Sequence, residues 1–174
     1  MWPPHNWLFY QGLKLYEWDH EARLLAESSA KMFLTAWREK AECHENFSAI
    51  TGQGTGQSDP HYTWGALMAL LAIEELVDVN PWHGLRFGNL EPVAPASIRR
   101  YFVSGALYDV TQSPDGLEVS KDGRLLFAAD APVEIRHVTF AGDRVQFEVR
   151  AGRPVRIRVR NNPPKEFPAG LSRL

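Results

Sequence analysis

The sequence predicts an α+β protein in which a helical segment leads into a small antiparallel β-sandwich-like domain. Three observations carry this. Apolar residues recur at helical spacing in three stretches of the first half. A segment rich in Gly and Pro, residues 82–95, then interrupts the pattern. From Ile98 onward the period changes to two, with turn residues between short runs. The expected division is a helical segment over 1–81, a linker over 82–97, a β domain over 98–162 and a frayed polar tail over 163–174.

Pro3 and Pro4 bias the residues before them toward extended backbone, so a helix is expected from about His5 or Asn6. Trp7, Tyr10, Leu13, Leu15 and Tyr16 make it apolar nearly all round, a pattern that expects cover on more than one side. Asp19 is placed to cap a second helix, with Glu21 in its first turn. Ala22, Leu25, Met32, Phe33, Ala36 and Trp37 mark its buried face, and the tight connection at 18–20 makes the two helices antiparallel neighbours. The stretch 42–64, ECHENFSAITGQGTGQSDPHYTW, reads as a shaped loop. Ordered loops between helices commonly bear binding and catalytic groups. Gly52, Gly54 and Gly56 serve its turning, not ligand contact. Asp59-Pro60 is a start signal for a third helix, carried by Trp64, Leu67, Met68, Leu71 and Val77 and ended before Asn80-Pro81.

Seven strands are expected, at 98–103, 106–111, 117–121, 124–127, 133–140, 144–149 and 155–160, as in an antiparallel sandwich. Ser113-Pro114-Asp115-Gly116, Asp122-Gly123, Gly142-Asp143 and Ala151-Gly152 supply the turns. Arg150, Arg153, Arg156, Arg158 and Arg160 read as a charged solvent face of a strand, with a polyanion site as the minor alternative.

Composition narrows the function classes. Nineteen basic residues against twenty-one acidic ones give a formal net charge of -2, with no overall pull toward nucleic acid. A single cysteine, Cys43, excludes an internal disulfide. His44-Glu45 is not part of a zinc-binding H-E-x-x-H, since position 48 is Ser, and no strand or G-x-G-x-x-G spacing supports a nucleotide site. No metal or cofactor is expected. The first residues lack a basic region followed by an apolar run, and the longest apolar run is broken by glutamates, so a cytoplasmic location and no membrane partner are expected. Trp2, Trp7 and Trp18 suit either core packing or sugar stacking.

Glu45 is the loop carboxylate best placed for acid–base work. An inverting glycosidase needs one carboxyl group to protonate the leaving oxygen and another to activate water. His44, Asn46 and Phe47 are placed to set the surroundings of Glu45, and Glu42, Asp59, Glu74, Glu75 and Asp78 are rival carboxylates. Trp2-Pro-Pro-His-Asn, Trp37-Arg-Glu-Lys, His44-Glu-Asn-Phe, Thr51-Gly and Ser58-Asp-Pro-His-Tyr-Thr-Trp-Gly-Ala-Leu occur in that order. Together they resemble the C-terminal portion of an (α/α)6-barrel glycoside hydrolase of the mannosylglycerate hydrolase-like and processing α-glucosidase-like group, with trehalases more distant. The resemblance covers about residues 1–90, and the part after Ile98 resembles the small C-terminal β domain of some of these enzymes.

The resemblance implies that Glu45 is the catalytic base of an inverting hydrolase of α-glycosidic bonds. It implies further that Trp2, Asn6, Asn46, Tyr62 and Trp64, with Thr63, shape the sugar site. The substrate would be a small saccharide or a glycosylated metabolite. The family's general acid is an Asp upstream of the Trp-Pro-Pro segment and has no counterpart here. Only three of the barrel's twelve helices are expected. The chain is therefore expected to be a fragment or one piece of a split enzyme, with little turnover alone. It would pair with a complementary chain or with itself. The alternatives are a non-catalytic carbohydrate-binding module and a structural fragment.

Overall fold

Pro3 and Pro4 occupy the first positions of helix α1, Pro3–Leu15, where their missing N–H groups leave no helical bond unmade. The computed structural model describes residues 1–173. The chain falls into two units, Met1–Glu74 and Glu75–Leu174. Three α-helices lie in the first, and two antiparallel β-sheets in the second.

Helix α2, Asp19–Lys40, ends where Ala41 adopts a left-handed backbone with φ of 55°. Asp19 does not cap it, contrary to the sequence expectation. Trp18 takes the capping position, and the Asp19 carboxylate is drawn instead to Lys14 Nζ at 2.7 Å in a buried pair. The third helix is also shorter than expected. A 3-10 turn, Thr63–Ala66, precedes α3, Leu67–Glu74. Asp59-Pro60 starts no helix because its carbonyls are engaged elsewhere. Asp59 O accepts from Glu45 N at 3.1 Å and Pro60 O from Cys43 N at 2.7 Å. Asp59 Oδ1 accepts from His61 N at 2.8 Å, an Asx turn rather than a helix cap.

Tyr10, Ala22, Ala26 and Leu71 form one core cluster of this unit, and Ala36, Phe47 and Met68 another. Buried Glu74 ties α3 to α1. Its carboxylate accepts from Trp7 Nε1 at 3.0 Å and from Gln11 Nε2 at 2.8 Å. The all-round apolar character of α1 is visible in its outer face. Leu8, Phe9, Tyr16 and Trp18 are exposed and, with Gly12, Leu13 and Leu25, line an open groove of about 440 Å³. Among the described residues, no helix is long and apolar enough to cross a membrane.

The second unit has eleven strands among its described residues. These are β1 Val77–Asn80, β2 Gly84–Phe87, β3 Ala96–Val103, β4 Ala106–Ser113, β5 Gly116–Lys121, β6 Arg124–Ala129, β7 Val133–Ala141, β8 Arg144–Ala151, β9 Val155–Val159, β10 Lys165–Phe167 and β11 Gly170–Arg173. One sheet has the order β1-β2-β7-β8-β11 and the other β10-β9-β6-β5-β4-β3. All seven expected strands are present. Four more lie where none was expected. Val77 belongs to β1, not to the third helix, and pairs with Phe87. The segment 82–97, read as a linker, carries β2 and the start of β3. The segment 163–174, read as a frayed tail, carries β10 and β11, paired to β9 and β8.

The two sheets meet through a ladder of aromatic rings that alternates between them. Phe87 of β2 lies 5.1 Å from Tyr108 of β4 and 6.3 Å from Phe127 of β6. Phe147 of β8 follows at 5.0 Å from Phe127, and Phe167 of β10 at 6.3 Å from Phe147. Offset and edge contacts at these separations add to the large apolar area each ring buries. Burial, with the Asp122 carboxylate nearby, pushes the Tyr108 hydroxyl up to about 12.

Buried charge sits beside this apolar seam. Arg86 is 0% exposed, with Asp78 Oδ2 at 3.8 Å and Glu134 Oε2 at 3.6 Å from its guanidinium, and its Nη1 donates to Gly88 O at 2.9 Å. Arg136 extends the chain of charges from Glu134 to Glu148, which Arg173 reaches at 2.6 Å.

Candidate functional site

Three segments run side by side in the helical unit and set the candidate site. The middle one is 43–47. On one side Met1 pairs with Phe47: the Met1 amine donates to Phe47 O at 2.6 Å, and Phe47 N donates to Met1 O at 2.9 Å. On the other side Cys43 bridges His61 in parallel fashion, and Glu45 N donates to Asp59 O. Glu45 is thus carried by the central segment, between the segment that delivers Trp2 and the one that delivers Tyr62 and Trp64. Its side chain is half-buried and makes no hydrogen bond or ion pair among the described residues.

The aromatic residues expected at the site come together. The Trp2 and Trp64 rings are 5.3 Å apart, and Tyr62 meets Trp64 edge-on, also at 5.3 Å. His5 joins them, 4.9 Å from Trp2, a neighbour that its place in a helical run did not mark. Trp64 remains 43% exposed. The rings meet at steep angles, 57° between Trp2 and Trp64 and 77° between Tyr62 and Trp64, so they form an angled cluster with part of Trp64 open to solvent.

The amides behave differently from one another. Asn6 is buried, and its Nδ2 donates to Ser29 Oγ at 2.9 Å and to Met1 Sδ at 3.0 Å. The structure therefore places it in the packing of α1 on α2. Asn46 is half-buried, and it is its backbone carbonyl that accepts, from Thr55 N at 3.0 Å and Ser58 Oγ at 3.3 Å, which closes the loop. His44 is buried and directs Nε2 to Glu42 Oε2 at 2.8 Å. It braces the loop from below.

Two glycines make this close packing possible. A methyl group on Gly54 would collide with the His44 ring, and one on Gly65 would lie 2.5 Å from His44 O and 2.8 Å from Cys43 Sγ. The glycine-rich sequence thus serves close approach as well as turning.

Cys43 Sγ donates to Tyr62 O at 3.3 Å, and burial pushes its thiol above the ordinary range. The thiolate is the reactive form, so its fraction at neutral pH falls. Iodoacetamide should alkylate Cys43 in the folded chain at pH 7.5 roughly tenfold or more slowly than in urea-unfolded chain. Equal rates would contradict this burial.

Among the described residues, no group of three or more His, Cys, Asp or Glu is arranged to hold a metal ion. Comparison with known proteins gives no match, whether to a family model, a curated protein or a solved structure.

Proposed function

We propose that the helical unit contributes the general base and part of the sugar-binding wall of an inverting glycoside hydrolase acting on α-glycosidic bonds. The observation that carries this reading is the placement of Glu45 on the central of three paired segments, flanked by those bearing Trp2 and Tyr62–Trp64. In this reading Glu45 takes a proton from a water molecule as that water attacks the anomeric carbon. Trp2, Tyr62 and Trp64 hold the sugar face, and Asn46 borders the site. The substrate is a small saccharide or a glycosylated metabolite, and the unit forms part of an (α/α)6 barrel. The exposed face of α1 would be covered by a complementary chain carrying further helices.

The base is tested apart from any proton donor on a substrate whose leaving group needs no proton. In an α-glycosyl fluoride the C–F bond breaks to release fluoride, while water adds to the anomeric carbon from the opposite face. The chain should hydrolyse α-glucosyl or α-mannosyl fluoride measurably, with the β-anomer formed first by NMR. An α-glycoside with a poor leaving group should be left nearly intact. Glu45→Gln should reduce fluoride release by about 100–10,000-fold. Retained release in Glu45→Gln, or none above buffer in the unsubstituted chain, would overturn the catalytic reading. Saccharide binding by calorimetry without fluoride release would assign the unit instead as a carbohydrate-binding module, the alternative favoured by the exposure of Trp64.

A further inference from the structure

At one end of the β unit, two hairpin turns from opposite sheets meet the exit of β9. The turn Asp122-Gly123 joins β5 to β6, and Gly142-Asp143 joins β7 to β8. Two clefts open there, of about 720 Å³ and about 430 Å³, and they share Asp143 and Arg160 as a common wall. Their combined lining includes five cations, Lys121, Arg124, Arg144, Arg160 and Lys165, against two carboxylates, Asp122 and Asp143. Five against two leaves a local excess of three positive charges, on a chain whose formal net charge is -2. The floor is apolar: the half-buried Leu125 lines one cleft and the half-buried Val145 and Val159 the other, beside the charged rim.

Arg160 is held in place before any ligand arrives. Its backbone is left-handed, with φ of 54°, a conformation uncommon for a residue with a side chain. Its N–H donates to Leu126 O at 3.0 Å, and its Nη1 donates to Asp143 O at 2.8 Å. Two of its anchors thus belong to different sheets, and one guanidinium edge is spent on a carbonyl. Lys121 is steadied over the Phe140 ring at 4.4 Å. A strained residue held by its surroundings is a pointer toward function when a cleft and a charge excess coincide with it.

We propose that this double cleft binds a small organic bisphosphate. Charge decides the class. A phosphate monoester carries roughly -1.5 to -2 at pH 7, so two of them match an excess of three positive charges, whereas a single carboxylate leaves most of it uncompensated. Arginine suits phosphate through its planar fork of donors. Clefts of a few hundred Å³ with an apolar floor and a few placed polar groups are typical of small-molecule sites. The bridging body of the ligand, a sugar ring or short carbon chain, would lie against the half-buried Leu125, Val145 and Val159.

Calorimetry on the whole chain, with glucose 1,6-bisphosphate, inorganic pyrophosphate and inorganic phosphate as probes, tests the proposal. Glucose 1,6-bisphosphate should bind saturably and more tightly than phosphate, with pyrophosphate distinguishing the charge from the sugar. Arg160→Ala should weaken binding about tenfold or more, the usual worth of a lost charge-assisted contact. Arg124→Ala/Arg144→Ala removes two exposed cations without touching the Arg160 anchors and should weaken binding similarly. Arg99→Ala, an exposed arginine on β3, should leave it unchanged. Absence of saturable bisphosphate binding would overturn the proposal, as would equal weakening by Arg99→Ala. So would binding confined to heparin or an oligonucleotide with steep salt dependence, which would mark a polyanion surface instead.

Discussion

Arg86→Met is expected to destabilise the β unit by about 3–5 kcal/mol. The guanidinium is wholly buried between Asp78 and Glu134, which are themselves buried. Methionine fills similar volume but leaves two carboxylates beside apolar packing with their principal cation gone. Their escape is protonation or local opening, and both draw on the stability of the fold. The pair itself need not be strongly favourable relative to an apolar replacement, so the double variant Arg86→Met/Glu134→Leu should recover part of the loss. Urea unfolding followed by circular dichroism would measure both. A loss below about 1 kcal/mol for the single variant would show that the cluster is hydrated and exchangeable, not a fixed interior network.

Glu74→Ala is expected to destabilise the helical unit by about 3 kcal/mol, because two donors to a carboxylate lose their acceptor at once. Trp7 Nε1 and Gln11 Nε2 both reach Glu74, and both lie on α1. The loss would also reach the candidate site, since α1 begins immediately after Trp2 and Trp2 contacts Trp64. Thermal unfolding should shift down, and quenching of tryptophan emission by acrylamide should rise before unfolding begins. Glu74→Gln keeps an acceptor and should lose less than half as much. Equal losses in the two variants would assign the effect to packing rather than to the hydrogen bonds.

The long elements were legible from periodicity alone. Helices α1 and α2, and strands β3 to β9, each show enough residues for a face to repeat. Strands β1, β2, β10 and β11 have only three or four residues, so one face presents one or two side chains and no period can be read. β2, β10 and β11 are strands because β7, β9 and β8 offer partners, and β1 because β2 does, a fact of tertiary structure. Asp59-Pro60 was ambiguous for a related reason. The same two residues start a helix or make an Asx turn, and Cys43 and Glu45, more than ten positions away, decide between them.

At the candidate site, the residue types were readable and their neighbours were not. Trp2 and Trp64 lie sixty-two positions apart in the chain and touch. Nothing in the local pattern of Asn6 distinguishes an amide facing a cavity from one bonded to Ser29. The five cations of the proposed cleft come from two hairpins, the exit of β9 and the start of β10, so they are scattered in sequence. Two signals were available: Lys or Arg beside the turns Asp122-Gly123 and Gly142-Asp143, and Arg160 at the end of the basic stretch read chiefly as a charged solvent face.

The last strands of the chain finish both sheets. β10 is the edge of one and β11 the edge of the other, and only Pro168 and Ala169 separate them. A proteolytic cut after Asn162 would therefore strip a border from each layer in one event and withdraw Phe167 from the end of the aromatic ladder. β10 and β11 are edges of three and four residues, whereas β9 and β8, exposed in their place, have five and eight, and longer edges are better templates for strand addition. A single clip between β9 and β10 would thus exchange two short, poor edges for two long ones on one particle.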